Sequence, residues 1–157
     1  LEVQGLRLDS QFEQQVATMT VSAASPPYIL MDMVKAGKVR GIVLECKGAG
    51  NVPDRIWDFA DDGSYSWMDA IREATQNGIH VGILSPFEDG RVELARYELG
   101  QKAKDAGAIS LESLTPAMGD VKFRQAIAMH PKHPDQIQRY ISTNLLGELL
   151  PGFMSSH

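Results

Sequence analysis

One cysteine, Cys46, stands in 157 residues. That excludes an internal disulfide and any cysteine-based zinc cluster, and it fits a reducing compartment. There is no apolar run of about 18 residues or more, so no membrane span is expected. Basic residues are in deficit: 15 Lys and Arg against 20 Asp and Glu give a net charge of −5. A surface of that sign argues against gripping a nucleic acid backbone directly. Repeats and low-complexity tracts are missing, and so is an initiating methionine, since the chain opens Leu1-Glu2-Val3. It reads as a piece cut from a longer protein.

What remains is an ordinary globular composition, 43% hydrophobic and 22% charged, of a length that suits one domain with a proper core. The central stretch is VRGIVLECKGAGNVP, residues 39–53. Gly41-Ile42-Val43-Leu44 is a short, β-branched apolar run without helical spacing, which predicts a fully buried strand. It runs into Gly48-Ala49-Gly50-Asn51, where glycines permit positive φ and close backbone approach. Asn51 can bond locally, and Pro53 blocks return to the strand. Such a turn falls at the carboxyl edge of a sheet, where open α/β proteins hold ligands. A plain tight turn and a small polar-ligand loop both satisfy the spacing. A dinucleotide fingerprint does not, because Pro53 takes the third glycine's place. A phosphate loop fails for want of Gly-Lys-Ser/Thr.

Residues 1–15 read as a linker or edge hairpin, and Val16–Val21 as the first strand. Ser25-Pro26-Pro27 predicts a helix start, with Ile29, Leu30, Met33 and Val34 inward and Gly37 as the stop. Residues 54–66 read as an irregular loop pinned by Trp57, Phe59 and Tyr65. Its acidic pattern mimics a calcium loop at a few positions but places Ala60 where an oxygen ligand is needed. A helix is expected over 67–77, a strand over 79–84, a helix over 91–106 with Val92, Leu94, Ala95, Leu99 and Ala103 inward, and a strand over 108–110. Two helices follow, from Thr115 with Val121, Phe123, Ile127 and Met129 inward, then from about Asp135 to Leu146. His80 reads as a strand-edge residue, with no second His or Cys at chelating spacing. His130 and His133 read as solvated. The alternation predicts an α/β/α layering with a short parallel sheet of about four strands over residues 16–150, and a tail at 151–157.

Four segments in order, GIVLECKGAGNVP (41–53), AIREATQNGIHVGILS (70–85), GRVELARYELGQKAKDAGAIS (90–110) and ISTNLLGEL (141–149), resemble the C-terminal domain of the L-asparaginases. The likeness is nearest to the cytosolic bacterial type and to the related amidotransferase subunit acting on glutamyl-tRNA. The resemblance implies a small α/β domain that follows a larger N-terminal catalytic domain, the source of the threonine nucleophile. The family's Thr-Gly-Gly-Thr and Gly-Thr-Asp-Thr motifs are not in this chain, so no catalytic residue is assigned to it.

What the resemblance further implies is a cytoplasmic amidohydrolase without cofactor or metal, acting on asparagine or a close relative as a homodimer or higher oligomer. Asn51, with Gly50, matches the position that in some members reaches the substrate amino acid of a neighbouring subunit. A turn-stabilising role for Asn51 is the alternative. Glu45, Cys46, Lys47, Gly48, Ser85 and Phe87 match an effector pocket of allosteric members. Glu45 stands where many of those have arginine and Phe87 where they have cysteine, so asparagine is not expected as an effector. Leu111-Glu112-Ser113-Leu114-Thr115 replaces the family's Gly-Gly-Asp-Met-Thr, and the loop 54–66 is longer than usual. A regulatory module and a domain of a tRNA-dependent amidotransferase stand as the other readings.

Overall fold

The computed structural model describes residues 10–59, 63–87 and 90–150. The readings placed on residues 1–9, on Ala60 and on the tail at 151–157 lie outside them. Four parallel strands make the sheet: β1 (Val16–Val21), β2 (Gly41–Cys46), β5 (His80–Leu84) and β6 (Ile109–Ser110), side by side in that order. β3 (Trp57–Phe59) and β4 (Gly63–Tyr65) form a separate antiparallel pair. The helices are α1 (Tyr28–Ala36), α2 (Trp67–Gln76), α3 (Glu98–Asp105), α4 (Pro116–Met129) and α5 (Pro134–Ser142).

The sheet order never reverses along the chain. With right-handed crossovers, α1, α2 and α3 then fall on one face of the sheet. Their buried residues Leu30, Ile71 and Ala103 share one core with Ile42, Leu44 and Cys46. The other face carries Val43 and Leu84 against Phe123, Ile127, Ile137 and Ile141 of α4 and α5. Residues alternate between these two cores along β2, as the pleat requires.

Several local expectations are corrected. Part of the stretch 54–66, read as an irregular loop, is regular: Trp57, Asp58 and Phe59 pair with Tyr65, Ser64 and Gly63 as two short antiparallel strands. Alternating aromatic and polar residues suit the two faces of that pair. α1 starts at Tyr28 behind Pro27, with no side-chain cap. Its buried stripe is Leu30, Met31 and Val34, leaving Ile29 exposed and Met33 half-buried. Ser25 bonds Ser22 instead of capping.

α3 begins seven residues later than expected, because Gly100 packs on the chain at Leu94; a Cβ there would lie 2.4 Å from the Leu94 carbonyl oxygen. A continuous helix cannot make that crossing, so residues 91–93 run without regular structure and 94–97 as a turn and bend. Val92, Leu94 and Ala103 are buried as expected, while Ala95 is exposed and Leu99 half-buried. α5 ends at Ser142, short of the expected Leu146. His80 is 92% buried, and its Nε2 bonds the Pro131 carbonyl at 3.0 Å. His133 is exposed, but His130 is half-buried against the Tyr140 ring.

The largest departure is on α4. Its inward stripe is Gly119, Lys122, Phe123, Ala126 and Ile127, spaced i, i+3, i+4, i+7, i+8. That stripe excludes Val121, which is exposed, leaves Met129 half-buried, and carries a lysine inward. Lys122 is satisfied there by three acceptors: the carbonyls of Ile141 at 3.0 Å and Thr143 at 2.6 Å, and the Glu148 carboxylate at 2.5 Å. It thereby caps the carbonyl end of α5 with a cation. Glu148 also accepts the N–H groups of Leu145 and Leu146.

Burial alone would raise the Glu148 pKa. The Lys122 ammonium and those N–H donors outweigh it and hold the carboxyl down to about 2. Removing one partner of a buried pair strands the other charge. Lys122→Ala should therefore cost about 3–5 kcal/mol of unfolding free energy in urea titrations. A depressed carboxyl stabilises the fold above its unfolded pKa, and that contribution disappears as pH falls from about 5 towards 2. Glu148→Gln should flatten this acid limb; a limb identical to wild type would remove Glu148 from the account.

Candidate functional site

All four strands point their carbonyl ends at one rim of the sheet. The turns after β2, β5 and β6 gather there. So does the segment after α5, because the Leu150 N–H donates to Ser113 Oγ at 3.0 Å just beyond β6. The glycine turn is the centre of this rim. The Asn51 N–H donates to the Lys47 carbonyl at 3.3 Å, closing one helical turn that is not continued. Gly48 and Gly50 take left-handed φ of 67° and 88°. Val52, fully buried, fixes the exit.

Gly50 is also buried, and a Cβ on it would lie 2.7 Å from Val92 Cγ1 and 3.0 Å from Ile83 Cγ2. The turn is thus seated on β5 and on the strap at residue 92. Asn51 is exposed, and its side chain lies beside Gly48. Among the described residues its amide forms no hydrogen bond. The turn is held by backbone and packing, and the Asn51 amide keeps both its donor and its acceptor.

The six residues matched to an effector pocket differ in burial and in the face of the sheet they take. Glu45 is half-buried, projects towards the α4 face and accepts from Thr20 Oγ1 at 3.0 Å across the β1–β2 pair. Cys46 points the other way, with no exposed surface, and its thiol is pushed up to about 12 by burial and then by the Glu45 charge. A thiol so protonated and enclosed is inert. Lys47 and Gly48 are exposed. Ser85 is 99% buried, its hydroxyl accepting from the Phe87 N–H at 3.4 Å. Phe87 is exposed. Glu88 and Asp89 of that turn lie outside the described residues.

A second polar group stands where β6 meets the rim. Glu112 is the one non-glycine residue with positive φ among the described residues, at 58°. It stands in the stretch that replaces the Gly-Gly-Asp-Met-Thr pattern, at a place where glycine meets the backbone demand without strain. Its carboxylate accepts from Gln138 Nε2 at 3.1 Å and Ser142 Oγ at 2.9 Å. Burial raises its pKa, partly opposed by the Ser142 hydroxyl. Gln138 also donates to the Ser110 carbonyl and accepts from its N–H. One side-chain amide so mimics a neighbouring strand and closes that edge of the sheet.

Sequence reading gave no role to Glu112, Lys122, Gln138 or Glu148. The available signals were the glycine lost at 112 and the inward spacing of 122. Among the described residues no cluster of three or more His, Cys, Asp or Glu could hold a metal ion. No helix there is long and apolar enough to cross a membrane.

Fold and rim together define an α/β domain with a parallel sheet and its strand-to-helix loops on one edge. The family model of the glutaminase/asparaginase C-terminal domain matches residues 15–141, and the chain belongs to that family. Among curated relatives, the D-type subunit of glutamyl-tRNA(Gln) amidotransferase from Saccharolobus solfataricus is 29% identical over 144 residues, covering 92% of this chain and 30% of that protein. Its counterpart from Pyrococcus horikoshii is 30% identical over 144 residues, with the same coverages. The chain thus spans about a third of the length of the curated relatives it matches.

Among solved structures, the thermostable L-asparaginase from Thermococcus kodakarensis superposes with a TM-score of 0.74 at 24% identity, over 89% of this chain and 39% of that one. L-asparaginase I from Vibrio cholerae gives 0.76 at 19% identity, over 94% and 41%. These likenesses establish the shared fold.

The two turn glycines should respond differently to substitution. Gly50→Ala adds a clash with Val92 to a left-handed φ and should cost about 2–4 kcal/mol. Gly48→Ala meets only the movable Asn51 amide at 3.3 Å and should cost about 1–2 kcal/mol. Urea midpoints of the two variants check this; equal losses would contradict the packing described at Gly50.

Proposed function

We propose that the chain is the C-terminal domain of an asparaginase-like amidohydrolase, a protein that hydrolyses L-asparagine or a related amide to the acid and ammonia. In this reading the carboxyl rim docks on a neighbouring subunit's catalytic domain, and Asn51, with Gly50 behind it, completes the active site. The observation that carries the reading is the unengaged Asn51 amide on a turn whose geometry does not need it. A side chain able to donate and accept suits the ammonium and carboxylate of an amino acid.

The surroundings support docking. Of the nine large apolar side chains exposed among the described residues, seven stand at the starts of α1 and α3 or in the segments after β2, β5 and α5, on the rim side of the sheet. They include Phe87, Tyr97, Leu145 and Leu146. Apolar side chains gathered on one edge mark a contact surface. The backbone N–H groups of Leu145 and Leu146 both donate to the Glu148 carboxylate.

The reacting half of the chemistry belongs to another domain in this reading. A threonine nucleophile needs a base and an oxyanion site beside it. Thr75 and Thr143 donate to backbone carbonyls, and Thr115 caps α4. Thr18 and Thr20 donate to Asp120 and Glu45, and Asp120 is already paired with Arg124. The purified chain should release no ammonia from asparagine above a heat-killed control. Release that a point mutation in the chain abolishes would overturn that assignment.

A second reading, the matching domain of a tRNA-dependent amidotransferase subunit, is favoured by the names of the curated relatives. Both readings place the rim against a catalytic domain and predict the same result at Asn51. In the longer protein, Asn51→Ala should lower kcat/KM about tenfold to several-hundredfold, the loss of one or two hydrogen bonds to a charged substrate. Its melting temperature should stay near wild type. A lowered melting temperature with unchanged kcat/KM would make Asn51 a turn residue.

A further inference from the structure

The opposite, amino edge of the sheet holds a cavity of about 720 Å³. Its volume lies in the range of small-molecule sites, and nothing in the reading of the rim uses it. Two cations line it, Arg40 at the start of β2 and Lys132 in the α4–α5 turn. Among the described residues neither side chain has an acidic or hydrogen-bonding partner. The acidic residue on the wall, Glu13, accepts the Gln15 N–H at 2.9 Å.

His80 gives the cavity a directed acceptor. Its Nε2 lies 3.0 Å from the Pro131 carbonyl. A carbonyl can only accept, so Nε2 carries a hydrogen, and in that tautomer Nδ1 is the ring's acceptor nitrogen. Nδ1 makes no bond among the described residues. The single buried side-chain nitrogen or oxygen without a partner there is Trp57 Nε1, so Nδ1 is not sealed in the core. Ile79 and Ile127 supply apolar wall.

These groups specify a ligand. Arg40 and Lys132 call for an anionic group, the His80 Nδ1 for a donor on the same ligand, and the isoleucines for an apolar body. The carbonyl ends of α2 and α3 also face this edge, at Gly78 and Gly107. Their partial negative charge opposes a dianion such as phosphate.

We propose that the amino-edge cavity is a small-molecule site that takes a monocarboxylate with an apolar body and a hydrogen-bond donor, as an N-acylated apolar amino acid presents. This goes beyond the asparaginase reading and does not depend on it.

Amide chemical shifts of the full chain, titrated with N-acetyl-L-phenylalanine, test it. Gly78, Ile79 and Gly107 should shift saturably, with a Kd in the millimolar range or below. N-acetyl-L-phenylalaninamide, which lacks the charge, should bind at least tenfold more weakly. 3-Phenylpropionate, which lacks the donor, should bind several-fold more weakly. The double variant Arg40→Gln with Lys132→Gln, at two exposed positions without partners, should keep its fold and lose at least tenfold in affinity. Any one of these results would overturn the proposal: no saturable shift at the three residues, shifts confined to residues 48–51, equal binding of the neutral amide, or wild-type affinity in the double variant.

Discussion

Parallel pairing in an unreversed order is the constraint on which the rest of this structure depends. Four strands running the same way put every strand-to-helix turn on one rim and every helix-to-strand turn on the other. Because the order β1-β2-β5-β6 never doubles back, the three crossover helices share one face. The second face would stay bare if the chain ended at β6. α4 and α5 exist to cover it, and the sequence after residue 115 is shaped by that task.

Covering the second face brings its own difficulty: α5 ends beside the rim with free carbonyls and a short segment still to be placed. Lys122 and Glu148 solve both. The lysine takes the carbonyls of Ile141 and Thr143, and the carboxylate takes the N–H groups of Leu145 and Leu146. The ion pair between them carries little surface, 3% and 5% of the two side chains. Such a pair adds less to stability than its loss would subtract, since either partner alone is a buried charge. Its evident effect is to give residues 143–149 a single arrangement on the rim.

The elements that short-range physics decides were legible in the sequence. The β-branched run at 41–44 is a buried strand, and Thr115-Pro116 opens α4 with a hydroxyl cap and proline in the first turn. Four ordered segments sufficed to recognise the family. What could not be read was set by contacts between distant parts. Gly100 breaks an expected helix because Leu94 must cross over it, and no periodicity records that crossing. Val121 looks like core and Lys122 like surface until the carbonyls of α5 and the carboxylate at 148 are in place. At the rim, the glycine turn at 48–51 was legible from its own residues, and Asn51 was singled out within it by the family resemblance. The inertness of Cys46 and the outward ring of Phe87 depend on which face each residue takes. The antiparallel pair at 57–59 and 63–65 escaped notice because three-residue strands carry almost no alternation.

The central claim is that the carboxyl rim is a covered surface in the working protein, with Asn51 at the contact. Hydrogen–deuterium exchange on this chain and on the longer protein that contains it measures that directly. The account predicts slower exchange in the longer protein at residues 48–52, 85–87 and 144–147, with little change at the amino-edge residues 78 and 107. Equal exchange along the rim in both, or protection confined to the amino edge, would contradict it.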